Sequence, residues 1–259
     1  MTAGARVRTA AVRSLRWVSR IPLGSRHRVS AEAADYWTSE RDDRWRSDSH
    51  WREATAYDDD AWLGMGAEHL RLYRRLACIP EGTRWRHAVD WGSGGGANAV
   101  HFAPWCDEFT AVDLSMDTVE ECARQVEQAT DTPVRTVVLD PENPERALRS
   151  LGGPCDLFVC LYVLELVPSP EYGLRVMRIA HSALAPGGSA FVQIKYQTRS
   201  WQTRPARFAY RRNLANMTTY RVEEFWASML EIGFHPRSVH LVPSNELDER
   251  YAYFVLDKP

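Results

Sequence analysis

A chain of 259 residues with 44% hydrophobic side chains can bury the core of one α/β domain with additions, which excludes a peptide, a disordered tail and a coiled coil. Its 25% charged residues, its formal net charge of −2 and the lack of any apolar run near the roughly 18 residues that span a bilayer fit a soluble, cytoplasmic protein with no transmembrane segment. The small net charge hides an asymmetry: residues 1–31 hold seven arginines and no acid, so the other 228 carry 25 basic and 34 acidic groups, a net of −9.

At 100° per residue, Val7, Ala11, Leu15, Val18 and Ile21 share one helix face, and Arg6, Arg8, Arg13, Arg16 and Arg20 share the other. This basic amphipathic helix suits an anionic membrane surface, a second subunit or another acidic partner, an import signal, or the protein's own acidic body. Pro22, Gly24 and Ser25 end it. Tyr36, Trp37, Trp45, Trp51, Tyr57 and Trp62 are then interleaved with charges and with the acidic run Asp58–Asp60, so residues 1–61 read as a helical extension or lid and 62–259 as the main domain. Such rings either cover a cationic or apolar ligand or pack short helices on the domain, and a lid would carry His50 over the site. Five cysteines without a C-x-x-C pair read as reduced packing residues, and no metal-ligand spacing is present. Only Lys195 and Lys258 among the 32 basic residues are lysines, a skew that fits GC-rich bacterial codon usage.

From about residue 85 strand-like and helix-like stretches alternate as in a parallel α/β sheet. Ala88-Val89 ends at Asp90, and the glycine run Gly92-Ser93-Gly94-Gly95-Gly96 leads into a helical stretch through Phe102. Glycines let backbone turn tightly and approach a nucleotide closely. A second strand, Phe109 to Val112, ends in Asp113, where a carboxylate can accept hydrogen bonds from ribose hydroxyls. Gly92-x-Gly94-x-x-Ala97 also satisfies the G-x-G-x-x-A pattern of nicotinamide and flavin sites. An acid two residues before the first glycine instead resembles the D-x-G-x-G-x-G signature of class I S-adenosylmethionine-dependent methyltransferases.

The rest of the chain keeps that family's order. Strand Thr136 to Leu139 ends in Asp140, strand Asp156 to Leu161 runs into Tyr162-Val163-Leu164-Glu165-Leu166-Val167-Pro168, and Leu184-Ala185-Pro186-Gly187-Gly188 precedes a fifth strand from Ser189 to Lys195. Phe225 to Phe234 resembles the last helix, and Val239 to Val242 with Tyr251 to Leu256 the closing strand pair. The resemblance implies a doubly wound, Rossmann-like sheet of seven strands, mostly parallel with the last antiparallel. It also implies S-adenosylmethionine as cofactor, held by Gly92, Gly94 and Gly96 at its methionine end, oriented by Asp90, with Asp113 at the ribose, Asp140 by the adenine, and Leu114 and Leu161 as further cofactor contacts. Asp140-Pro141-Glu142-Asn143-Pro144 is equally a turn and helix start.

In-line methyl transfer needs alignment and, for a hydroxyl, removal of a proton, so no universal catalytic residue is expected. Tyr162, at the mouth of the cleft, is the candidate to position or deprotonate the acceptor; Glu165 is either a base or a carboxylate facing a helix start. Where some relatives have a metal-binding E-x-x-E-H, this chain has Tyr162 and Leu166 at two of the three places, which argues against a metal. The insertion from Tyr196 to Tyr220, with Tyr196, Arg199, Trp201 and Arg207 as candidate substrate contacts, suits an anionic or planar small molecule, or is a solvated face against the acidic body. The expected activity is methylation of oxygen or nitrogen on a small molecule, as in natural product biosynthesis. Nucleic acid is a poor target, since the body is acidic and no (D/N/S)-P-P-(Y/F) motif follows the fourth strand. A dinucleotide-dependent oxidoreductase and a non-catalytic S-adenosylmethionine-binding partner subunit are the competing readings.

Overall fold

The computed structural model describes residues 26–39, 43–55, 57–206, 209–244 and 248–259; the expected amphipathic helix at 7–21 and Arg207 lie outside them. Three helices precede the sheet: α1 (Arg26–Trp37), α2 (Arg44–Asp48) and α3 (Asp59–Leu76). The acidic run Asp58–Asp60 starts α3: Asp58 accepts the Ala61 N–H at 2.9 Å, Asp59 and Asp60 sit in the positive first turn, and Arg74 and Arg75 in the negative last turn. Such a cap is worth about 1 kcal/mol.

The strands are β1 (Trp85–Trp91), β2 (Cys106–Asp113), β3 (Val134–Val138), β4 (Cys155–Cys160), β5 (Leu184–Lys195), β6 (His235–Ser244) and β7 (Glu249–Asp257). They form one sheet in the order β3-β2-β1-β4-β5-β7-β6, with only β7 antiparallel to its neighbours. The expected doubly wound sheet is therefore present. Between strands run α4 (Ala99–Phe102), α5 (Met116–Ala129), α6 (Pro170–Ala183) and α8 (Val222–Ile232), with the short α7 (Tyr210–Asn213) inside the 196–220 insertion. The turn expected at Leu184–Gly188 is drawn into the start of β5, where Leu184 pairs with Cys155 and Gly187 takes φ 80°.

Period-two alternation splits the core between the two faces. Val89 and Trp91 join α6 and α8 through Val176, Met177, Phe225 and Met229, whereas Ala88 joins α3 and α5 through Trp62, Tyr73, Cys122 and Val126. Four of the five cysteines are buried as expected; Cys78 is exposed. A third cluster ties the extension to the insertion: Val29, Tyr36, Trp37 and Trp45 pack with Ala206, Tyr210 and Met217.

Sheet order reverses at β1, which lies between β2 and β4. Chains leave β1 and β4 in opposite directions there, so a crevice opens beyond their carboxyl ends.

Candidate functional site

That crevice is a cleft of about 1090 Å³ including its open mouth. Its floor is made by the strand ends: Trp91, Gly92 and Gly94 after β1, Asp113 and Leu114 after β2, Leu139 and Pro141 after β3, and Leu161, Tyr162 and Val163 after β4. Its roof comes from the extension, with Ser30, Ala33, Ala34 and Trp37 of α1 and Asp48, Ser49 and His50 at the end of α2. The aromatic-rich segment thus lines the cleft as well as packing on the domain.

The glycine loop is shaped by contact. Gly92, Gly94 and Gly96 have φ of 77°, 52° and 93°, where a side chain is strained. A Cβ on Gly92 would meet Val163 Cγ2 at 2.3 Å, and one on Gly94 the Ser49 carbonyl oxygen at 2.4 Å. Gly95 donates its N–H to that same carbonyl at 2.7 Å, and the His50 carbonyl accepts from Trp62 Nε1 at 2.7 Å. Two successive carbonyls of the lid are therefore clamped to the domain. Gly96 faces Cys122 of α5 and does not line the cleft.

Asp113 holds the loop from the next strand. One carboxylate oxygen accepts the Gly94 N–H at 3.0 Å and the other its neighbour Leu114 N–H at 2.7 Å. Burial raises its pKa, against those two hydrogen bonds, and its remaining lone pairs face the cleft. Asp90 lies behind the loop, buried and off the cleft lining; its Oδ2 has no partner among the described residues, and burial, then the charge of Asp113, push it up to about 7. Ser93 Oγ is buried next to the Cys122 thiol. An orphaned carboxylate oxygen behind a loop whose φ values favour glycine, with a second carboxylate at the next strand end, fits a ligand carrying a cationic group and vicinal hydroxyls. S-adenosylmethionine has both.

Asp140 does not join them. Its Oδ1 accepts the Glu142 and Asn143 N–H groups at 2.9 and 3.2 Å, and its Oδ2 accepts from the Asn143 side chain at 2.9 Å. The local turn takes the carboxylate, and only the flanking Leu139 and Pro141 reach the cleft. Glu165 is buried off the cleft near Gln193 and Lys195, its Oε2 lacks a partner among the described residues, and burial pushes it up to about 7. Tyr196 is engaged through its backbone with Arg250, while Arg199 and Trp201 are exposed away from the cleft. The insertion reaches the site through Tyr210 instead: its hydroxyl donates to the Leu166 carbonyl at 2.6 Å and accepts from Trp37 Nε1 at 2.7 Å.

Tyr162 does line the cleft, with φ 57° and its N–H on Gln193 Oε1 at 2.7 Å. Its hydroxyl lies 3.2 Å from His69 Nε2 and 3.0 Å from the Tyr253 hydroxyl, and His69 Nδ1 is 2.7 Å from Asn98 Oδ1. Burial holds His69 at about 4, so the ring is neutral and can accept a proton or hydrogen bond at Nε2 when Nδ1–H faces Asn98. His50 stands on the other side, its ring 5.9 Å from that of Tyr162 and 5.9 Å from that of Tyr57. His69, Asn98 and Tyr253 carry no sequence signal, since α3, the glycine turn and β7 meet here only in three dimensions.

No group of three or more His, Cys, Asp or Glu that could hold a metal occurs among the described residues, and none of their helices is long and apolar enough to cross a membrane. A family model described as a methyltransferase domain matches residues 65–239. None of the curated protein sequences matches. Among solved structures, the N-methyltransferase NodS from Bradyrhizobium japonicum WM9 with S-adenosyl-L-homocysteine is 17% identical with a TM-score of 0.57, over 83% of this chain and 98% of that one. Magnesium protoporphyrin IX methyltransferase from Synechocystis PCC 6803, also with bound S-adenosylhomocysteine, is 14% identical with a TM-score of 0.63, over 88% and 99%. The 1,6-didemethyltoxoflavin-N1-methyltransferase of Burkholderia thailandensis is 18% identical with a TM-score of 0.61, over 92% of each chain. These likenesses concern the fold; with the family match across the glycine loop and strands β1 to β5, they place the chain in the class I methyltransferase family, whose methyl donor is S-adenosylmethionine.

Proposed function

We propose that this protein transfers a methyl group to an oxygen or nitrogen of an uncharged, flat small molecule. The observation that carries this is the composition of the cleft: the only charged groups among its described lining residues are two carboxylates, Asp48 and Asp113, while Trp37, Tyr162, Tyr172 and Tyr210 supply ring surface. A cationic donor suits two carboxylates, and an anionic acceptor does not. The arginines of the insertion, which favoured an anion, do not line the cleft among the described residues. NodS and the toxoflavin enzyme, by their names, methylate nitrogen, which supports keeping nitrogen beside oxygen.

S-adenosylmethionine, when bound, supplies an activated methyl on a sulfonium, so the protein's work is alignment and proton removal. Asp113 would accept from the ribose hydroxyls, Asp90 would provide negative charge behind the loop, and Leu114, Leu139 and Pro141 would lie against the base. Trp37, His50 and Tyr162 would enclose the reacting end and keep water out. Glu165, buried off the cleft, serves as a structural group beside Gln193, whose Oε1 accepts the Tyr162 N–H.

Calorimetry with S-adenosylhomocysteine and with NAD tests the reading. Binding of the first and not the second is expected, and tight NAD binding alone overturns it. Methyl transfer by the purified chain with no partner added would separate an enzyme from a partner-dependent subunit.

A further inference from the structure

We infer that His50, delivered by the N-terminal extension, is the group that takes the acceptor's proton, with Asp48 as its charge partner. This rests on the methyl-transfer reading and goes beyond it, because it places a catalytic side chain outside the methyltransferase domain proper.

The geometry is specific. His50 lines the cleft beside the glycine loop, and its backbone cannot drift: its carbonyl is held by Trp62 Nε1, and its predecessor Ser49 is held by Gly95 N–H. Its φ is 57°, a left-handed conformation that costs a residue with a Cβ about 1–3 kcal/mol and persists where surroundings impose it. Tyr162, opposite, has the same φ, and the two rings meet edge to face. Two of the five described non-glycine residues with positive φ thus face each other across one cleft.

Neither ring nitrogen of His50 has a hydrogen-bond partner among the described residues, whereas both nitrogens of His69 are occupied. The groups around His50 are Asp48 of α2, Tyr57 before α3, Tyr162 after β4 and, behind Tyr162, His69. Burial keeps the imidazole neutral at pH 7, and the Asp48 charge works in the opposite sense, favouring an imidazolium once a proton arrives. Tyr36 donates its hydroxyl hydrogen to Asp48 and so fixes that carboxylate in the lid.

The step balances as follows. The acceptor's lone pair forms the new bond to the methyl carbon, the carbon–sulfur pair returns to sulfur, and the acceptor's proton passes to the unprotonated nitrogen of His50. One positive charge leaves the sulfonium and one appears on the imidazolium facing Asp48. Tyr162, bonded to His69 and Tyr253, is then a positioning residue.

The test has two arms. In wild type, ¹⁵N imidazole spectra are compared between the S-adenosylmethionine and S-adenosylhomocysteine complexes, which differ by one methyl and one positive charge. The His50 nitrogens should move between the two, more than those of His69, His87 or His181. If both ligands perturb the Gly94 amide and His50 does not move, the inference is overturned; if neither perturbs Gly94, the methyl-transfer reading itself fails. This arm needs no acceptor. In the second arm His50→Gly, which relieves the positive φ, and His50→Asn, which tolerates it, are assayed on neutral phenols and heteroaromatic amines. A turnover loss of about 10²- to 10⁴-fold, S-adenosylhomocysteine affinity within about threefold, and recovery of His50→Gly by added imidazole are expected. Wild-type turnover in either variant overturns the assignment.

Discussion

Replacing Asp90 by asparagine separates the stability of the apo protein from its affinity for ligand. The Asp90 carboxyl ionises at about 7 instead of 3.8, because it is desolvated and lies near Asp113. At ~1.4 kcal/mol per unit of pKa, an ionised Asp90 lowers apo stability by up to about 4 kcal/mol. The folded pKa is raised above the unfolded one, so the contribution is fully present below pH 3.8 and is lost as pH rises through about 7. Asp90→Asn removes that titration. Its amide adds a desolvation cost of about 1–3 kcal/mol that does not vary with pH. Urea unfolding of both proteins at pH 4.5, 6 and 8 should therefore show the variant gaining on wild type by a few kcal/mol across the series. S-adenosylhomocysteine at pH 8 should recover more stability in wild type than in the variant, since a bound cation offsets the buried charge. A wild-type-minus-variant difference that stays flat with pH would refute the role given to Asp90.

Asp113→Ala removes the acceptor for the Gly94 N–H together with the cleft-facing lone pairs, and at about 1.5–3 kcal/mol per charge-assisted bond it should weaken S-adenosylhomocysteine binding tenfold or more by calorimetry, with the far-ultraviolet spectrum unchanged. Gly94→Ala places a Cβ 2.4 Å from the Ser49 carbonyl at φ 52°; it should cost about 1–3 kcal/mol and expose Trp51 and Trp62 to fluorescence quenchers, and unchanged quenching would sink the lid contact. Tyr162→Phe deletes the hydroxyl between His69 and Tyr253, and should lower kcat while leaving S-adenosylhomocysteine affinity within about threefold.

The placing of the acids and glycines around the crevice was legible because it is local. Asp90 through Gly96 and Asp113 lie on one strand–turn–helix–strand stretch, where spacing alone puts the acid at the end of β2. Asp140 shows the limit of that logic: its position after β3 matches the family, but Pro141, Glu142 and Asn143 build a turn that consumes its carboxylate. Which residues of the insertion reach the cleft was not legible. Arg199 and Trp201 lie in the right segment and on the wrong surface, since the insertion is held by Thr218 on the Glu165 and Val167 carbonyls and turns Tyr210 inward. His69 and Tyr253 are 184 residues apart and meet through the sheet, a contact that no periodicity encodes.

The clamp between extension and insertion has a consequence for how the protein is made. Trp37 and Tyr210 are 173 residues apart in sequence, and Glu32 and the Tyr210 N–H 178 apart, so α1 is synthesised long before the partners it packs on. Contacts that close such long loops form late, after the sheet that presents them. Amide exchange in α1 should consequently be far faster than in β1 or β4, because α1 can detach as a small cooperative unit while the parallel strands stay paired. A nascent chain would hold the floor and the clamped Ser49–His50 end of the roof before α1 closes over them, and that closing step is also the one most easily reversed.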